Sequence, residues 1–185
     1  MGRLNDIALA TQVAVMGNKR AFDQLVRQYQ SPVRRFFLSQ TSGDEALSDD
    51  LAQDTFLKAY THIGQYRGTS SFLTWLTRIA YNVWYDYKRS ERGGKSLEAQ
   101  TNERIQGLMD AVPQRQSTTL QIDIYRALSL LRDEERTCIT LQLIDGYAID
   151  EIAKITDMPT GTVKSHLKRG KEKLANYLRQ NGYDR

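Results

Sequence analysis

Residues 149–171 carry two apolar stripes at helical spacing, divided by a break that no single helix can cross. Ile149, Ile152 and Ala153 make the first stripe, and Val163, Leu167 and Leu174 the second. Asp157-Met158-Pro159 stands between them. Proline disfavours helical geometry in the residue before it and has no N–H to donate, so the pattern has to restart. Thr160 can cap the restarted helix. Thr162, Lys164, Ser165, His166, Lys168 and Arg169 are then left facing outward. Two short helices with a basic second member are the layout that places a recognition helix in a DNA major groove. An amphipathic hairpin with a solvated basic face fits the same segment.

The charge is unevenly spread. The chain carries a net +4. Residues 160–185 hold seven Lys/Arg against two acids, whereas residues 126–159 hold four against seven. Such segregation suggests one face for a polyanion and another for a different contact. Two histidines and one cysteine, far apart in sequence, offer no metal-ligand spacing. No phosphate-cradling glycine loop and no nucleophile motif occurs, so neither catalysis nor a cofactor or metal is expected. No apolar stretch approaches the ~20 residues that cross a bilayer, and the N-terminus lacks a signal-peptide core. A single cysteine, Cys138, cannot form an internal disulfide, which makes the cytoplasm the expected compartment. Cys138 lies in an apolar helical stretch and reads as a small core residue.

Three prolines and no alternating strand pattern predict an all-α protein. Residues 93–119 are polar and poorly periodic, which predicts two small helical domains, 1–92 and 120–185, joined by a linker. A first helix over 4–16 ends at Gly17-Asn18, a candidate left-handed cap. Phe22, Leu25, Val26, Tyr29, Val33 and Phe36 make a second helix that contains Pro32. A third, over 49–63, should bury Ala52, Phe56, Ala59, Tyr60 and Ile63. Its other face shows Asp50, Gln53, Asp54, Leu57 and Lys58, and a leucine among polar groups hints at a protein interface.

The fourth helix is the second major signal. Phe72, Leu76, Ile79, Ala80, Val83 and Tyr87 recur at intervals of three or four and must face a core. The opposite face reads Trp75, Arg78, Asn82, Tyr85, Asp86 and Arg89, followed by Arg92. Aromatics interleaved with bases and an amide suit unstacked nucleotides: rings stack, cations meet phosphate and amides read base edges. The preceding loop, Tyr66-Arg67-Gly68-Thr69-Ser70-Ser71, could form a pocket for a base turned out of the duplex. Taken singly, Trp75 and Tyr85 also fit as packing residues.

With these segments in order, the chain resembles the extracytoplasmic-function group of bacterial sigma factors, the two-domain members of the sigma-70 family. Ala21-Phe22-Asp23, Asp50-Leu51-Ala52-Gln53-Asp54-Thr55-Phe56-Leu57-Lys58-Ala59-Tyr60, Tyr66-Arg67-Gly68 and Phe72-Leu73-Thr74-Trp75-Leu76-Thr77-Arg78-Ile79-Ala80-Tyr81-Asn82 are similar to the family's second region. Gly161-Thr162-Val163-Lys164-Ser165 resembles the recognition helix of its fourth. The resemblance implies that Asp50, Gln53, Asp54, Leu57 and Lys58 bind the clamp helices of core RNA polymerase. It implies that Tyr66, Arg67, Gly68, Ser70, Ser71, Trp75, Arg78, Asn82, Tyr85 and Arg89 melt and hold the −10 promoter element. Thr160, Thr162, Lys164, Ser165, His166, Lys168 and Arg169 would read the −35 element. The linker would run toward the polymerase's RNA exit path, and an anti-sigma partner is implied.

Three positions depart from the family's habit. His166 stands where Arg is frequent. Gly170 takes a place often held by Ala, at a cost of roughly 1 kcal/mol in helix propensity. Ala148 replaces a common capping Ser, so the first helix of the motif should start less firmly. The main alternative is a helix-turn-helix regulator that works beside another sigma; it would need a receiver or ligand domain. An RNA-binding enzyme subunit and a pure interaction module fit less of the chain.

Overall fold

The local signals at each chain reversal decide where the helices of this protein begin and end. A computed structural model describes residues 3–94 and 119–183, in which eight α-helices and no strand occur. They are α1 (Arg3–Met16), α2 (Lys19–Gln40), α3 (Glu45–His62), α4 (Phe72–Gly94), α5 (Thr119–Ser129), α6 (Asp133–Ile139), α7 (Ile149–Thr156) and α8 (Thr160–Gln180). A 3₁₀ turn, Ile63–Gln65, extends α3, and a π turn, Thr140–Ile144, extends α6. The expected linker at 93–119 lies mostly outside the described residues; at its ends α4 continues through Gly94 and α5 begins at Thr119.

In the N-terminal domain, Gly17 takes φ +61° after α1, as the sequence suggested. Asn18 then caps α2, its side-chain oxygen accepting from the N–H groups of Arg20 and Ala21 at 3.1 and 3.3 Å. The buried stripe of α2 is Ala21, Leu25, Tyr29, Val33, Phe36 and Phe37. Helix α3 starts four residues earlier than its apolar periodicity indicates, because Asp44 accepts from the Leu47 N–H at 3.0 Å and caps it. Leu51 and Thr55 are buried on α3, while Phe56 is only partly covered. The expectation that Tyr60 is buried is corrected: it is 37% exposed and lies edge-on to Phe22 at 5.0 Å. Phe72, fully buried at the start of α4, collects Tyr29, Tyr66 and Trp75 around it at 5.2–5.4 Å.

In the C-terminal domain, Asp157 ends α7 in the left-handed region at φ +59°. Pro159 stands in the capping position of α8 and Thr160 is the first helical residue, without a side-chain cap. The expected Thr160 cap is therefore displaced by one residue: proline's fixed φ suits the entry to a helix, but it brings no capping oxygen. Ala148 is compensated from within α7, since the Glu151 carboxylate accepts from the Ala148 N–H at 3.0 Å. Val163 and Leu167 are buried and Leu174 partly so, as the spacing required.

Gly170 has a packing reason that helix propensity does not reveal. A Cβ there would lie 2.7 Å from the Ile139 Cγ1, so the backbones of α8 and α6 can approach only because the side chain is missing. Cys138, on α6, is fully buried, and burial pushes its thiol up to about 12, which leaves it an inert core group.

The two domains pack on each other, and the apolar core runs continuously through both. The buried Arg136 guanidinium donates to the Gln40 carbonyl at the end of α2 at 2.8 Å, and within its own domain to the Leu128 and Leu131 carbonyls at 2.9 Å each. Gln40 accepts from the Thr137 hydroxyl at 3.1 Å. The two ends of the seam are held by Arg35–Asp145 at 2.8 Å and by the shared Thr77–Tyr147 hydrogen bond at 3.1 Å.

Gly170→Ala should destabilise the protein by about 1–3 kcal/mol in chemical unfolding, despite a better helix former, because overpacking outweighs propensity. Adding Ile139→Ala should make the pair less destabilising than the sum of the two changes. A neutral or stabilising Gly170→Ala would mean that Ile139 has room to move.

Candidate polymerase and nucleic-acid interfaces

Helix α3 turns its core residues toward α2 and α4, which leaves Asp50, Gln53, Asp54, Leu57 and Lys58 together on the outside, all exposed. Leu57 is 59% exposed, high for a leucine flanked by charges. It also forms one wall of a groove of about 550 Å³ between α2 and α3, lined by Phe22, Val26, Phe56 and Tyr60. Arg34 on α2 ties the far end of α3 through Asp49 at 2.5 Å and Glu45 at 3.3 Å. Lys58 reaches across to Asp86 on α4 at 3.4 Å, so it joins this face to the next one.

The expected −10 residues separate into a wall and an open strip. Tyr66 is packed: its ring meets Phe72 edge-on and Trp75 at 5.5 Å, and its hydroxyl donates to the Ser70 carbonyl at 3.0 Å. Trp75 is half-buried in the same aromatic cluster. The Tyr66 phenol is pushed upward chiefly by burial. Gly68 takes φ +69°, and a Cβ there would stand 2.9 Å from the Ile7 side chain, so α1 lies directly against the loop. Arg3 also donates to the Gly68 carbonyl. Ser71 opens α4, its hydroxyl oxygen accepting from the Thr74 N–H at 3.0 Å, and the Ser70 hydroxyl donates to the Ser71 carbonyl at 3.3 Å.

Beside this built loop, Arg67, Arg78, Asn82, Tyr85 and Arg89 are exposed. Arg89 is drawn toward Asp86 at 3.3 Å and Arg78 toward Asp157 of the other domain at 3.9 Å. The loop and α4 thus bring packed aromatics, Tyr66 and Trp75, together with exposed cations and one exposed amide beside them. Helix α1 was read only as a helix, yet it positions this loop. Its Asp6 accepts from the Tyr29 hydroxyl at 2.6 Å, beneath Phe72. Burial and that carboxylate push the Tyr29 phenol well above its ordinary range.

On α8, Thr160, Thr162, Lys164, Ser165, Lys168 and Arg169 are exposed and His166 is half-buried. The Ser165 hydroxyl bonds back to the Gly161 carbonyl at 3.0 Å. Sequence reasoning missed Glu135, a buried carboxylate behind this face. It takes the Lys173 ammonium at 2.7 Å, the Arg169 Nε at 3.4 Å and the Arg132 N–H at 3.2 Å. Burial works to raise its carboxyl, but Lys173 and the Arg132 N–H outweigh burial and hold it below the usual range. Arg169 also lies 3.1 Å from the His166 Nδ1. A guanidinium can only donate, so Nδ1 accepts and the imidazole carries its proton on Nε2, as a donor.

The exposed faces of α3 and α4 and the basic face of α8 lie in segments that match known protein families. Residues 25–93 match the family described as sigma-70 region 2, and residues 121–174 match sigma-70, region 4. The ECF RNA polymerase sigma-E factor of Haemophilus influenzae is 32% identical over 185 residues, covering 95% of this chain and 96% of its own. The RNA polymerase sigma-H factor of Pseudomonas aeruginosa is 34% identical over 167 residues, with 85% and 86% covered. Among solved structures, the sigma factor RpoE of Bartonella quintana, crystallised with the anti-sigma factor NepR, is similar with a TM-score of 0.64 at 26% identity, covering 89% of this chain and 98% of that one. CnrH, solved with the cytosolic domain of CnrY, shares the fold at a TM-score of 0.61 and 24% identity, with 95% and 98% covered. Both halves of the chain match in order, so the regulator with a separate receiver domain drops out, and the chain belongs to the extracytoplasmic-function sigma factors of the sigma-70 family.

Proposed function

We propose that this sigma factor divides its work among three faces: α3 for core polymerase, α4 with the 66–71 loop for −10 DNA, and α8 for the −35 element. Domain 1–92 then carries polymerase binding and strand opening, and domain 120–185 carries duplex reading. The observation that supports this most is the separation of the faces. Apolar docking, single-strand capture and duplex reading need different surfaces, and the exposed residues of α3, α4 and α8 supply one of each.

On α3, Leu57 and the groove beside it offer an apolar anchor within an acidic rim of Asp50 and Asp54. On the −10 face, Tyr66 and Trp75 act as a rigid wall against which a base can stack. Asn82 supplies the paired donor and acceptor for a base edge. Arg67, Arg78, Tyr85 and Arg89 follow the phosphate and sugar. Gly68, Ser70 and Ser71 shape the loop. On α8, Thr160, Thr162, Lys164, Ser165 and Lys168 meet duplex DNA, with Arg169 anchored at its root by Glu135. His166 offers an Nε2–H to a base acceptor, such as N7 or O6 of guanine.

The protein works in the cytoplasm, where polymerase and promoter are; no helix among the described residues is long and apolar enough to cross a membrane. It makes and breaks no bond itself. An anti-sigma factor is a fitting partner, as one is for RpoE of Bartonella quintana.

Charge reversal at Asp54 with Leu57→Ala should weaken binding to core polymerase while circular dichroism stays unchanged; retained affinity would move the docking face elsewhere. Ala at both Tyr66 and Asn82 should leave polymerase binding and −35 duplex affinity intact but sharply reduce permanganate reactivity of promoter thymines. A pre-melted bubble should restore only part of the activity, because the opening cost is gone but the base site is still damaged. Full rescue would mean that these residues separate strands without holding a base. Lys164→Ala should weaken duplex binding and lower the slope of log affinity against log salt by about one. An unchanged slope would show that this side chain meets no phosphate.

A further inference from the structure

His166 and Gly170 are two of the positions where this chain departs from its family's habit, and Glu135 ties them together. Gly170 brings the helices into contact: a Cβ there would stand 2.7 Å from the Ile139 side chain and 3.7 Å from the Glu135 carbonyl oxygen. Arg169 and Lys173 flank that approach, and His166, Arg169 and Lys173 follow one another about a turn apart on one face of α8. The Glu135 carboxylate, 1% exposed, therefore reaches both cations. Its Oε2 takes the Lys173 ammonium at 2.7 Å, and its Oε1 lies 3.4 Å from the Arg169 Nε.

The plainer reading of Glu135 is a helix cap, since the carboxylate also accepts from the Arg132 N–H at 3.2 Å at the start of α6. A cap needs one oxygen and works from an exposed position. Glu135 is buried and meets two cations of a neighbouring helix, which a cap does not require. Burial works to raise its carboxyl, yet Lys173 and Arg132 hold it below the usual range, so the negative charge persists behind α8.

Arg169 carries the consequence outward. With its Nε edge turned to Glu135, its Nη2 lies 3.1 Å from the His166 Nδ1. A guanidinium cannot accept, so Nδ1 does, and the ring proton sits on Nε2. An imidazole that is free to turn or to change tautomer can donate or accept. Held by Arg169, the outer nitrogen of His166 only donates. Base edges distinguish the two cases, because N7 and O6 of guanine accept where the N4 amino group of cytosine donates.

We propose that Glu135 is a positioning residue for −35 reading: it sets the Arg169 fork, the fork sets the His166 tautomer, and His166 becomes a donor-only reader of one base. Gly170 is the gap that lets the acid reach. The inference rests on the −35 reading of α8 given above and deepens it, placing part of that helix's specificity in a buried residue of α6.

The test uses holoenzyme reconstituted with each full-length variant and a pool of promoter duplexes randomised across the −35 element, the bound fraction being sequenced. His166→Ala should flatten base preference at one position by about three- to tenfold, the yield of a single hydrogen bond to a base edge. Glu135→Gln keeps the shape but presents an amide NH₂ in place of one oxygen, and Arg169→Lys keeps the charge but loses the fork. Each should flatten that same position by about two- to fivefold and leave the base preference elsewhere as in the wild type. Added to His166→Ala, Glu135→Gln should change that position no further. Glu134→Gln removes the neighbouring acid at a half-exposed position and should keep the full preference, which separates position from net charge. Arg169 is half-exposed, so Arg169→Lys decides the matter if Glu135→Gln unfolds. The proposal is overturned if Arg169→Lys or a folded Glu135→Gln keeps the wild-type preference. It is also overturned if Glu135→Gln acts equally in the His166→Ala background, or if it flattens all positions evenly, as a merely structural residue would. If His166→Ala itself alters no base preference, the −35 reading of His166 fails first, and the proposal with it.

Discussion

Arg136 is the interaction on which the arrangement of this chain depends. Its guanidinium is buried, a position that a cation tolerates only when carbonyls or carboxylates surround it. Two of the carbonyls it meets, Leu128 and Leu131, lie at the end of α5 and just beyond it. A third, on Gln40, closes α2 of the other domain. Helix ends leave carbonyls without intrahelical partners, and a positive charge there also suits the helix dipole. One side chain thus finishes two helices and joins two domains. Removing it would leave buried acceptors on both sides of the seam.

Around that joint, each exposed face is made by what a helix does not bury. Helix α3 spends Leu51, Ala52, Thr55 and Ala59 on the core and is left with Leu57 among acids. Helix α4 spends Phe72, Leu76, Ala80 and Val83, and is left with Asn82 among cations and Tyr85. Helix α8 spends Val163 and Leu167, is drawn close to α6 at Gly170, and is left with a basic outer face. At Gly68 the same device appears in a loop, where Ile7 of α1 presses against the backbone of the 66–71 turn. At Gly68 and Gly170 the missing side chain is what lets two segments come into contact.

Much of this was legible in the chain. Intervals of three and four marked the core of α2, α4 and α8, and Pro159 marked the turn of the helix-turn-helix. Polar residues left over from those stripes then named the exposed faces. What periodicity could not show is partnership between distant residues. Glu135 looks in sequence like one more acid in an acidic stretch, yet it is buried beneath Lys173 and Arg169. Tyr66 reads in sequence as the start of a polar loop that could hold a base, and its ring is packed on Phe72 and Trp75. Gly170 looked like a propensity defect because the Ile139 contact is made across the fold. The uneven charge did signal a second contact, but only three-dimensional placement identified it as the chain's own N-terminal domain.

On this reading of its three faces, the chain by itself gives core polymerase its promoter. The direct measurement is in vitro transcription with purified core polymerase, this protein and no other sigma, on a library of linear duplex templates whose start sites are mapped by sequencing the products. Initiation confined to a set of templates sharing two spaced sequence elements is the predicted result. No initiation above that of core polymerase alone, or initiation that appears only when a second sigma is added, would contradict it.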